Sequence, residues 1–216
     1  MAMATTHYRR WGKRLFDVLV GAGALTLLSP VLLLLAFLIR LLLGCPVLFR
    51  QVRSGLGQQQ FTILKFRTMT NERDPSGALL PDTRRLTPFG RFLRSTSLDE
   101  LPELLNVLQG RMSLVGPRPL LPRYDAYYSK RELHRFELPP GITGWAQING
   151  RNDLAWDDRL ACDVWYVQSC SLALDLKILF LTVIKVLRRA NVQVDPGMTF
   201  GALDEERRGQ ATANTP

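Results

Sequence analysis

The stretch VLVGAGALTLLSPVLLLLAFLI, from Val18 to Ile39, contains no charged residue and decides how the fold is arranged. As one straight helix it would extend roughly 33 Å, which is enough to cross a bilayer. Ser29-Pro30 lies near its midpoint, and proline both removes a backbone donor and clashes with the preceding helical turn. The serine hydroxyl can satisfy a carbonyl that is freed in this way. The stretch therefore predicts either a spanning helix with a proline kink or a re-entrant helix hairpin broken at Ser29-Pro30.

Positive charge on both sides of this stretch bears on that choice. The flanking basic residues are Arg9, Arg10, Lys13 and Arg14 before it, and Arg40, Arg50 and Arg53 after it. Basic residues mark the cytoplasmic side of a membrane segment, so both ends are expected on one side. With these charges, the re-entrant hairpin and the spanning helix are equally favoured. The expected arrangement is the re-entrant hairpin.

Length and composition define the domain organisation and the classes of partner. The 216 residues have room for one domain plus a membrane anchor. We expect a basic N-terminus and membrane helix over 1–44, a cytosolic domain over 45–190, and a polar, flexible tail over 191–216. With 28 Lys and Arg against 19 Asp and Glu, the net charge of +9 favours anionic partners. No zinc-finger, basic-zipper or RNP-like pattern supports nucleic-acid binding.

The predicted fold class is α/β (α+β), a mainly helical small domain with one short β-hairpin. The strands are expected at Val47–Phe49 and Phe61–Leu64. One helix is expected to begin between Leu98 and Pro102 and to run to Gln109, and a charged surface helix is expected at Pro122–Glu137. Leu172–Arg189 is amphipathic, and it is equally suited to lying on a membrane surface or to packing against the body of the domain.

The vicinal carboxylates Asp99 and Glu100 lie among an unusual concentration of cations. These cations are Lys65, Arg67, Arg91, Arg94, Arg111 and Arg118. Two carboxylates can hold Mg²⁺ together with substrate phosphates, and arginine binds phosphate oxygens through two parallel hydrogen bonds. The alternatives are that the carboxylates cap a helix and that the cations are solvated surface charges. Arg118 is the most specific of the set, because two prolines hold it in extended backbone.

An ordered series of motifs resembles the catalytic domain of the bacterial sugar transferase family, the monotopic phosphoglycosyl transferases, in its small form. The matching stretches are Lys13-Arg14-Leu15-Phe16-Asp17, Ser29-Pro30, Gly44-Cys45-Pro46-Val47, Lys65-Phe66-Arg67-Thr68-Met69, Arg94 with Ser97-Leu98-Asp99-Glu100-Leu101-Pro102, Ser113-Leu114-Val115-Gly116-Pro117-Arg118-Pro119, Pro140-Gly141-Ile142-Thr143-Gly144-Trp145 and Leu174-Asp175-Leu176-Lys177. They extend from about Lys13 to Arg189, which is most of the chain.

The resemblance implies a reaction and roles for particular residues. A UDP-sugar would donate its sugar 1-phosphate to a polyprenyl (undecaprenyl) phosphate through an aspartyl-phosphosugar intermediate on Asp99, with release of UMP. Glu100 would hold Mg²⁺. The remaining assignments are phosphate binding by Lys65, Arg67, Arg94 and Arg118, nucleotide binding by Arg151, and a structural role for Asp17. For Trp145 two alternatives stay open, contact with the base and packing as an aromatic residue in a turn.

The same resemblance implies a location and leaves two alternatives open. The enzyme would be monotopic on the cytoplasmic face of the bacterial inner membrane and would begin glycoconjugate synthesis there, with membrane lipid as a further partner. One alternative is the same enzyme class with a plain hexose donor rather than the N-acetylated or diacetamido sugars frequent among small members. The other is a non-catalytic membrane scaffold. The oligomeric state cannot be read from the sequence.

Overall fold

The computed structural model describes residues 8–150, 154–188 and 201–213. A π-helical turn at Tyr8–Gly12 precedes the first α-helix. The α-helices are α1 Lys13–Leu42, α2 Asp82–Arg85, α3 Pro88–Ser95, α4 Glu103–Leu108, α5 Trp145–Ile148, α6 Trp156–Ser169, α7 Leu172–Leu187 and α8 Leu203–Ala213. The strands are β1 Leu48–Ser54, β2 Gln60–Phe66, β3 Ser113–Val115 and β4 Gly141–Thr143.

Helix α1 is a continuous helix of 30 residues with Pro30 inside it. The Ser29 hydroxyl donates to the Thr26 carbonyl at 2.8 Å, as expected for a serine beside a proline. The expected break at Ser29-Pro30 therefore does not divide α1 into two helices. By length and composition α1 could cross a membrane, and the re-entrant course remains a proposal.

Both halves of α1 contact the rest of the domain, and its centre is exposed. In the first half Lys13 and Asp17 are buried, in the second half Ile39 is buried, and between them Leu27 and Leu33 are 78% and 72% exposed. Asp17 Oδ1 accepts hydrogen bonds from the Leu114 backbone N–H and the Ser113 hydroxyl, each at 3.0 Å. Asp17 therefore anchors β3 to α1, which agrees with the structural role expected for it.

A buried ionic cluster joins the start of α1 to α6 and α7. Lys13 Nζ donates to Asp175 Oδ2 at 2.7 Å and to the Tyr166 hydroxyl at 3.0 Å. The Tyr166 hydroxyl donates to Asp175 Oδ1 at 2.6 Å and lies 3.1 Å from the Val115 carbonyl oxygen. Tyr8 completes the cluster by donating to Asp175 at 2.7 Å. The charge of Asp175, which is fully buried, is thus matched by a cation from α1.

The β-hairpin forms as predicted, with longer strands. β1 and β2 pair antiparallel over seven residues each, from Leu48 opposite Phe66 to Ser54 opposite Gln60. Phe61 and Ile63 point into the main hydrophobic core. Asn106 of α4 fixes β2 to the helix beneath it, because its side chain accepts from the Leu64 N–H and donates to the Thr62 carbonyl.

A second, parallel pair of short strands was not predicted from the sequence. β3 pairs with β4, with Ser113 opposite Gly141 and Val115 opposite Thr143. The backbones approach so closely that a Cβ atom on Gly141 would lie 2.0 Å from the Gly116 nitrogen. Glycine is required there because any side chain would overlap the neighbouring backbone.

One helical prediction is confirmed and another needs a correction. The helix expected to begin between Leu98 and Pro102 and to run to Gln109 is α4, with Pro102 as its N-cap and Gln109 as its C-cap, and it follows a 3₁₀ turn at Leu98–Glu100. The surface helix expected at Pro122–Glu137 is two 3₁₀ helices, and Arg135 and Phe136 within it are buried. Their burial explains the difference, since the segment packs against α6 instead of lying free on the surface.

The C-terminal helices complete the body. α7 forms as predicted and leaves Leu176, Phe180, Val183 and Leu187 exposed on one side. α6 was not predicted. Of the tail expected to be flexible, the described part contains α8, because Leu203 is fully buried against Leu160, Tyr124 and Trp156.

Candidate active site

Asp99 and Glu100 lie on the 3₁₀ turn that joins α3 to α4. Ser97 at its start has φ 55°, a left-handed conformation that is uncommon for a residue other than glycine. α4 has Pro102 as its N-cap and no side-chain cap, so capping does not account for the two carboxylates. The turn instead presents both acids to a large cavity.

The cavity has a volume of about 1220 Å³ and is lined in part by residues of both strands of the β-hairpin. Asp82, Asp99 and Glu100 are the carboxylates that line it. The cations that line it are Arg50, Arg53, Lys65, Arg67, Arg85, Arg94, Arg118 and Arg159. This excess of positive charge suits a polyanionic ligand, as expected from the sequence.

Glu100 is the centre of the charged contacts. Lys65 Nζ lies 2.6 Å from Glu100 Oε1, and Arg118 Nη2 lies 3.3 Å from the same oxygen. Lys65 also lies 3.2 Å from Glu103 Oε1. Burial alone would lower the pKa of Lys65, but the two glutamates outweigh burial and raise it. Lys65 therefore stays charged in this site.

The two neighbouring carboxyl groups are held at unusual pKa values. Burial, followed by repulsion from Glu100, raises the pKa of Asp99 to about 6. Burial also raises the pKa of Glu103 to about 8, against the attraction of Lys65. Asp99 therefore remains mostly ionised at neutral pH, as a nucleophile must be, whereas Glu103 is mostly protonated.

The remaining predicted phosphate ligands differ in how available they are. Arg94 lines the cavity and donates through Nε to the Thr68 hydroxyl at 3.1 Å. Burial lowers the pKa of Arg94, and the nearby Asp99 carboxylate opposes this shift. Arg67 also lines the cavity, but it donates to the backbone carbonyls of Met69 and Cys45 at 2.6 Å. The structure thus gives Arg67 a role in fixing the loop after β2.

The backbone of Arg118 is held by a buried ion pair. Arg135 Nη2 donates to the Arg118 carbonyl at 2.7 Å and lies 2.9 Å from Asp163 Oδ2. Arg135 and Asp163 are both 2% exposed. The proline-flanked loop is therefore supported through its backbone, which leaves the Arg118 guanidinium to face Glu100.

Of the two nucleotide assignments, Trp145 belongs to the part of the chain that the structure describes. Trp145 begins α5, stacks against Trp165 at a ring separation of 4.6 Å and has Lys177 over its ring. It is absent from the cavity lining among the described residues. Arg151 lies outside the described residues, and Ser29-Pro30 lies in α1, as described above.

Several residues of the cavity were missed by sequence reasoning. Arg53, Gln147 and Arg159 line the cavity, and Glu103, which does not line it, contacts Lys65. Arg53 carried a detectable signal, because strand alternation puts it on the same face of the hairpin as Lys65. Gln147 and Arg159 carried none, since they reach the cavity through α5 and α6.

The site suits Mg²⁺ only in combination with a substrate. No group of three or more His, Cys, Asp or Glu side chains within the described ranges could hold a metal ion by itself. Asp99 and Glu100 offer the one or two carboxylates that Mg²⁺ takes from proteins when phosphates and water provide the other ligands. The donor set therefore fits this ion.

Comparison with known proteins gives a consistent result. Residues 8–189 match the model of the bacterial sugar transferase family. The chain is 54% identical over 181 residues to the "Uncharacterized sugar transferase EpsL" of Bacillus subtilis (strain 168), covering 84% of this chain and 90% of that protein. It is 44% identical over 189 residues to a "UDP-glucose:undecaprenyl-phosphate glucose-1-phosphate transferase" of Caulobacter vibrioides, covering 83% and 71%. It is 39% identical over 188 residues to the "Exopolysaccharide production protein ExoY" of Rhizobium meliloti (strain 1021), covering 79% and 83%.

Proposed function

The chain belongs to the bacterial sugar transferase family, and from this premise we propose that it moves a sugar 1-phosphate from a UDP-sugar to a polyprenyl phosphate. The observation that carries the proposal is the pair Asp99 and Glu100, set among Lys65, Arg94 and Arg118 at one large cavity. The names of the relatives from Caulobacter vibrioides and Rhizobium meliloti support the same chemistry and a place in exopolysaccharide synthesis.

The proposed first step uses Asp99 as the nucleophile. Its carboxylate attacks the phosphorus that bears the sugar, the bond from that phosphorus to the bridging oxygen breaks, and UMP leaves with the bridging oxygen. Lys65, Arg94 and Arg118 bind the diphosphate oxygens and stabilise the charge that develops on them. In the second step a phosphate oxygen of the polyprenyl phosphate attacks the same phosphorus, and the bond to Asp99 breaks.

Glu100 is the residue that would hold Mg²⁺, with Asp99 as a second carboxylate nearby. A bound Mg²⁺ would neutralise charge on the diphosphate and on the departing UMP. Lys65 and Arg118 contact the same carboxylate and so keep Glu100 ionised and oriented towards the cavity.

The donor we propose is UDP-glucose, because the relatives that are named for a donor include several named for UDP-glucose. Another relative is named for UDP-galactose, whose sugar is also a plain hexose. Donors with a plain hexose are therefore the ones to test first. An N-acetylated or diacetamido sugar is the alternative.

We propose that the enzyme is monotopic at the cytoplasmic face of the bacterial inner membrane. The contacts of both halves of α1 with the domain support a helix that enters the membrane and returns. The exposed apolar side of α7 supports a second contact with the interface. This position would bring the cavity to the level where lipid headgroups meet a soluble sugar nucleotide.

The test is turnover by the purified full chain in lipid with Mg²⁺. A panel of UDP-sugars is supplied with polyprenyl phosphate, and UMP release and labelled lipid are measured. We expect both products with a hexose donor. The scaffold alternative is supported if no donor gives UMP and if Asp99→Asn preserves membrane location and partners without any loss of function in cells.

A further inference from the structure

The cavity has a second end, which the proposed chemistry does not use. Arg53 pairs with Phe61 on the hairpin, whereas Lys65 pairs with Phe49. These two residue pairs are four residue steps apart along the strands, which is roughly 13 Å. Gln147 and Arg159 line the same cavity. We call Arg53, Gln147 and Arg159 the distal cluster.

Four buried polar atoms of the distal cluster lack partners within the described residues, although Arg53 Nη2 donates to Gln51 Oε1 at 2.5 Å and Arg159 Nη2 donates to the Leu154 carbonyl at 3.2 Å. Gln147 is 6% exposed, and within the described residues neither its amide oxygen nor its amide nitrogen has a hydrogen-bond partner. The Nε atoms of Arg53 and Arg159 are buried and also lack partners there. Since buried polar groups are nearly always satisfied, such a concentration beside one cavity indicates a missing ligand.

The two arginines of the cluster are also not neutralised by ion pairs. Within the described ranges neither lies within ion-pair distance of a carboxylate. Burial and then the neighbouring charge of Arg118 lower the pKa of Arg53 to about 10. The same two causes lower the pKa of Arg159. The cluster therefore favours a ligand with electron-rich acceptor atoms.

We propose that Arg53, Gln147 and Arg159 form the subsite that recognises the uracil base of the donor, an inference that rests on the proposed function. The hydrogen-bonding edge of uracil carries two carbonyl acceptors on either side of one N–H donor. The two guanidinium groups supply donors for the carbonyl oxygens, and the Gln147 amide oxygen accepts from the ring N–H. Leu120 and Ala146, which line the same cavity, offer apolar atoms to the faces of a planar ring.

The geometry of the cavity agrees with this assignment. Arg118 contacts Glu100 and also repels both Arg53 and Arg159, so it lies between the carboxylate pair and the distal cluster. A donor whose diphosphate lies against Arg118 and Lys65 would extend its nucleoside along the hairpin to this end. Cytosine would bind less well, because its amino group would face a guanidinium donor where uracil has a carbonyl.

The test is a binding titration of the full chain in lipid nanodiscs with UMP and CMP, which requires no turnover. We expect UMP to bind about tenfold more tightly than CMP, since one unpaired buried polar group costs about that much. Gln147→Leu and Arg159→Gln should each weaken UMP binding about tenfold and bring the ratio of the two affinities towards one. The matched controls Gln168→Leu and Arg84→Gln change exposed residues and should keep the wild-type ratio.

Two results would overturn the assignment, namely equal binding of UMP and CMP by the wild type, or an unchanged ratio in Gln147→Leu. If Gln147→Leu does not fold, Gln147→Met keeps the length of the side chain without the amide and should lose the preference for UMP, because no amide oxygen then accepts from the ring N–H. Inorganic pyrophosphate separates a base subsite from a phosphate subsite. Gln147→Leu should bind it as the wild type does, and an equal loss of pyrophosphate and UMP contradicts the proposal.

The outcome also distinguishes this inference from the proposed function. Turnover with UDP-sugars but no preference for UMP over CMP rejects the uracil subsite and retains the transferase. A preference for UMP without release of UMP from any donor retains the subsite and rejects the transferase.

Discussion

The ammonium group of Lys65 lies 2.6 Å from Oε1 of Glu100, so the carboxylate proposed to hold a metal ion is already paired with a lysine. Lys65 also contacts Glu103, and one ammonium group therefore contacts two carboxyl groups. Mg²⁺ binding at Glu100 would compete with Lys65 for the same oxygen. The displaced ammonium would then be available to the diphosphate that arrives with the metal.

Removal of the metal should stop the reaction. We expect chelation to abolish UMP release by the full chain and added Mg²⁺ to restore it. Glu100→Gln should lower kcat at least about a hundredfold, because a neutral amide is a poor Mg²⁺ ligand. Glu72→Gln, at an exposed position, serves as the control. Full turnover in excess chelator would exclude the proposed role of Glu100.

Asp99 should carry the sugar phosphate covalently. Incubation with the UDP-sugar alone should release UMP and increase the intact mass of the protein by one sugar phosphate, since an ionised carboxylate needs no general base. Asp99→Asn should remove both the adduct and turnover, whereas the exposed Asp158→Asn should retain them. UMP release that occurs only when the lipid acceptor is present, with no adduct, would support direct transfer instead.

Both termini should lie on the cytoplasmic side. Reporter fusions at Met1 and at the C-terminus should agree, because basic residues flank α1 on both sides. Replacement of Ser29 and Pro30 by Ala and Leu should move the C-terminal reporter across the membrane by removing the cause of the bend. Thr26→Ala removes a hydroxyl that also bonds a helix carbonyl but leaves the proline, so it should have no effect. A periplasmic signal at one terminus of the wild type would establish a spanning helix.

Glu103 should make stability dependent on pH in a defined direction. Its pKa rises from 4.5 in the unfolded chain to about 8 in the folded one, so the folded state binds the extra proton. The stability that this proton provides is complete below pH 4.5 and is lost as the pH rises through 8.

The measurement is the free energy of unfolding of the wild type and of Glu103→Gln across this range. The variant should gain relative to the wild type as the pH rises, by at most about 1.4 kcal/mol per pH unit. Glu72→Gln should show no such trend. A difference between Glu103→Gln and the wild type that is constant with pH would mean that Glu103 is ionised in the folded state.

The sequence predicted those parts of the fold that have a simple periodicity. The uncharged run, the amphipathic α7 and the β-hairpin were each recognisable, because one side of each element is apolar over most of its length. α6 was missed since its buried side includes Asp163, whose charge is paired with Arg135 from a distant segment. The pairing of β3 with β4 was missed because strands of three residues carry almost no pattern.

The candidate site was also predicted only in part from the sequence. The motif residues Asp99, Glu100, Lys65, Arg94 and Arg118 do converge on one cavity, and local motifs were sufficient to select them. For Trp145 the sequence left contact with the base and packing in a turn open, and the structure shows its ring against Trp165. Gln147 and Arg159 could not be selected, because only the packing of α5 and α6 brings them to the hairpin.

The buried cluster around Asp175 has a practical consequence for anyone who wants a water-soluble version of this protein. Lys13 belongs to the long apolar helix α1 but neutralises a carboxylate inside the rest of the domain. A truncation that begins after α1 would leave that charge unmatched in the interior, at a cost of about 3–5 kcal/mol. It would also expose the surfaces of β3 and α4 that α1 covers. The anchor is thus an integral piece of the enzyme's architecture, and biochemical work has to keep it and supply a lipid or detergent substitute for the bilayer.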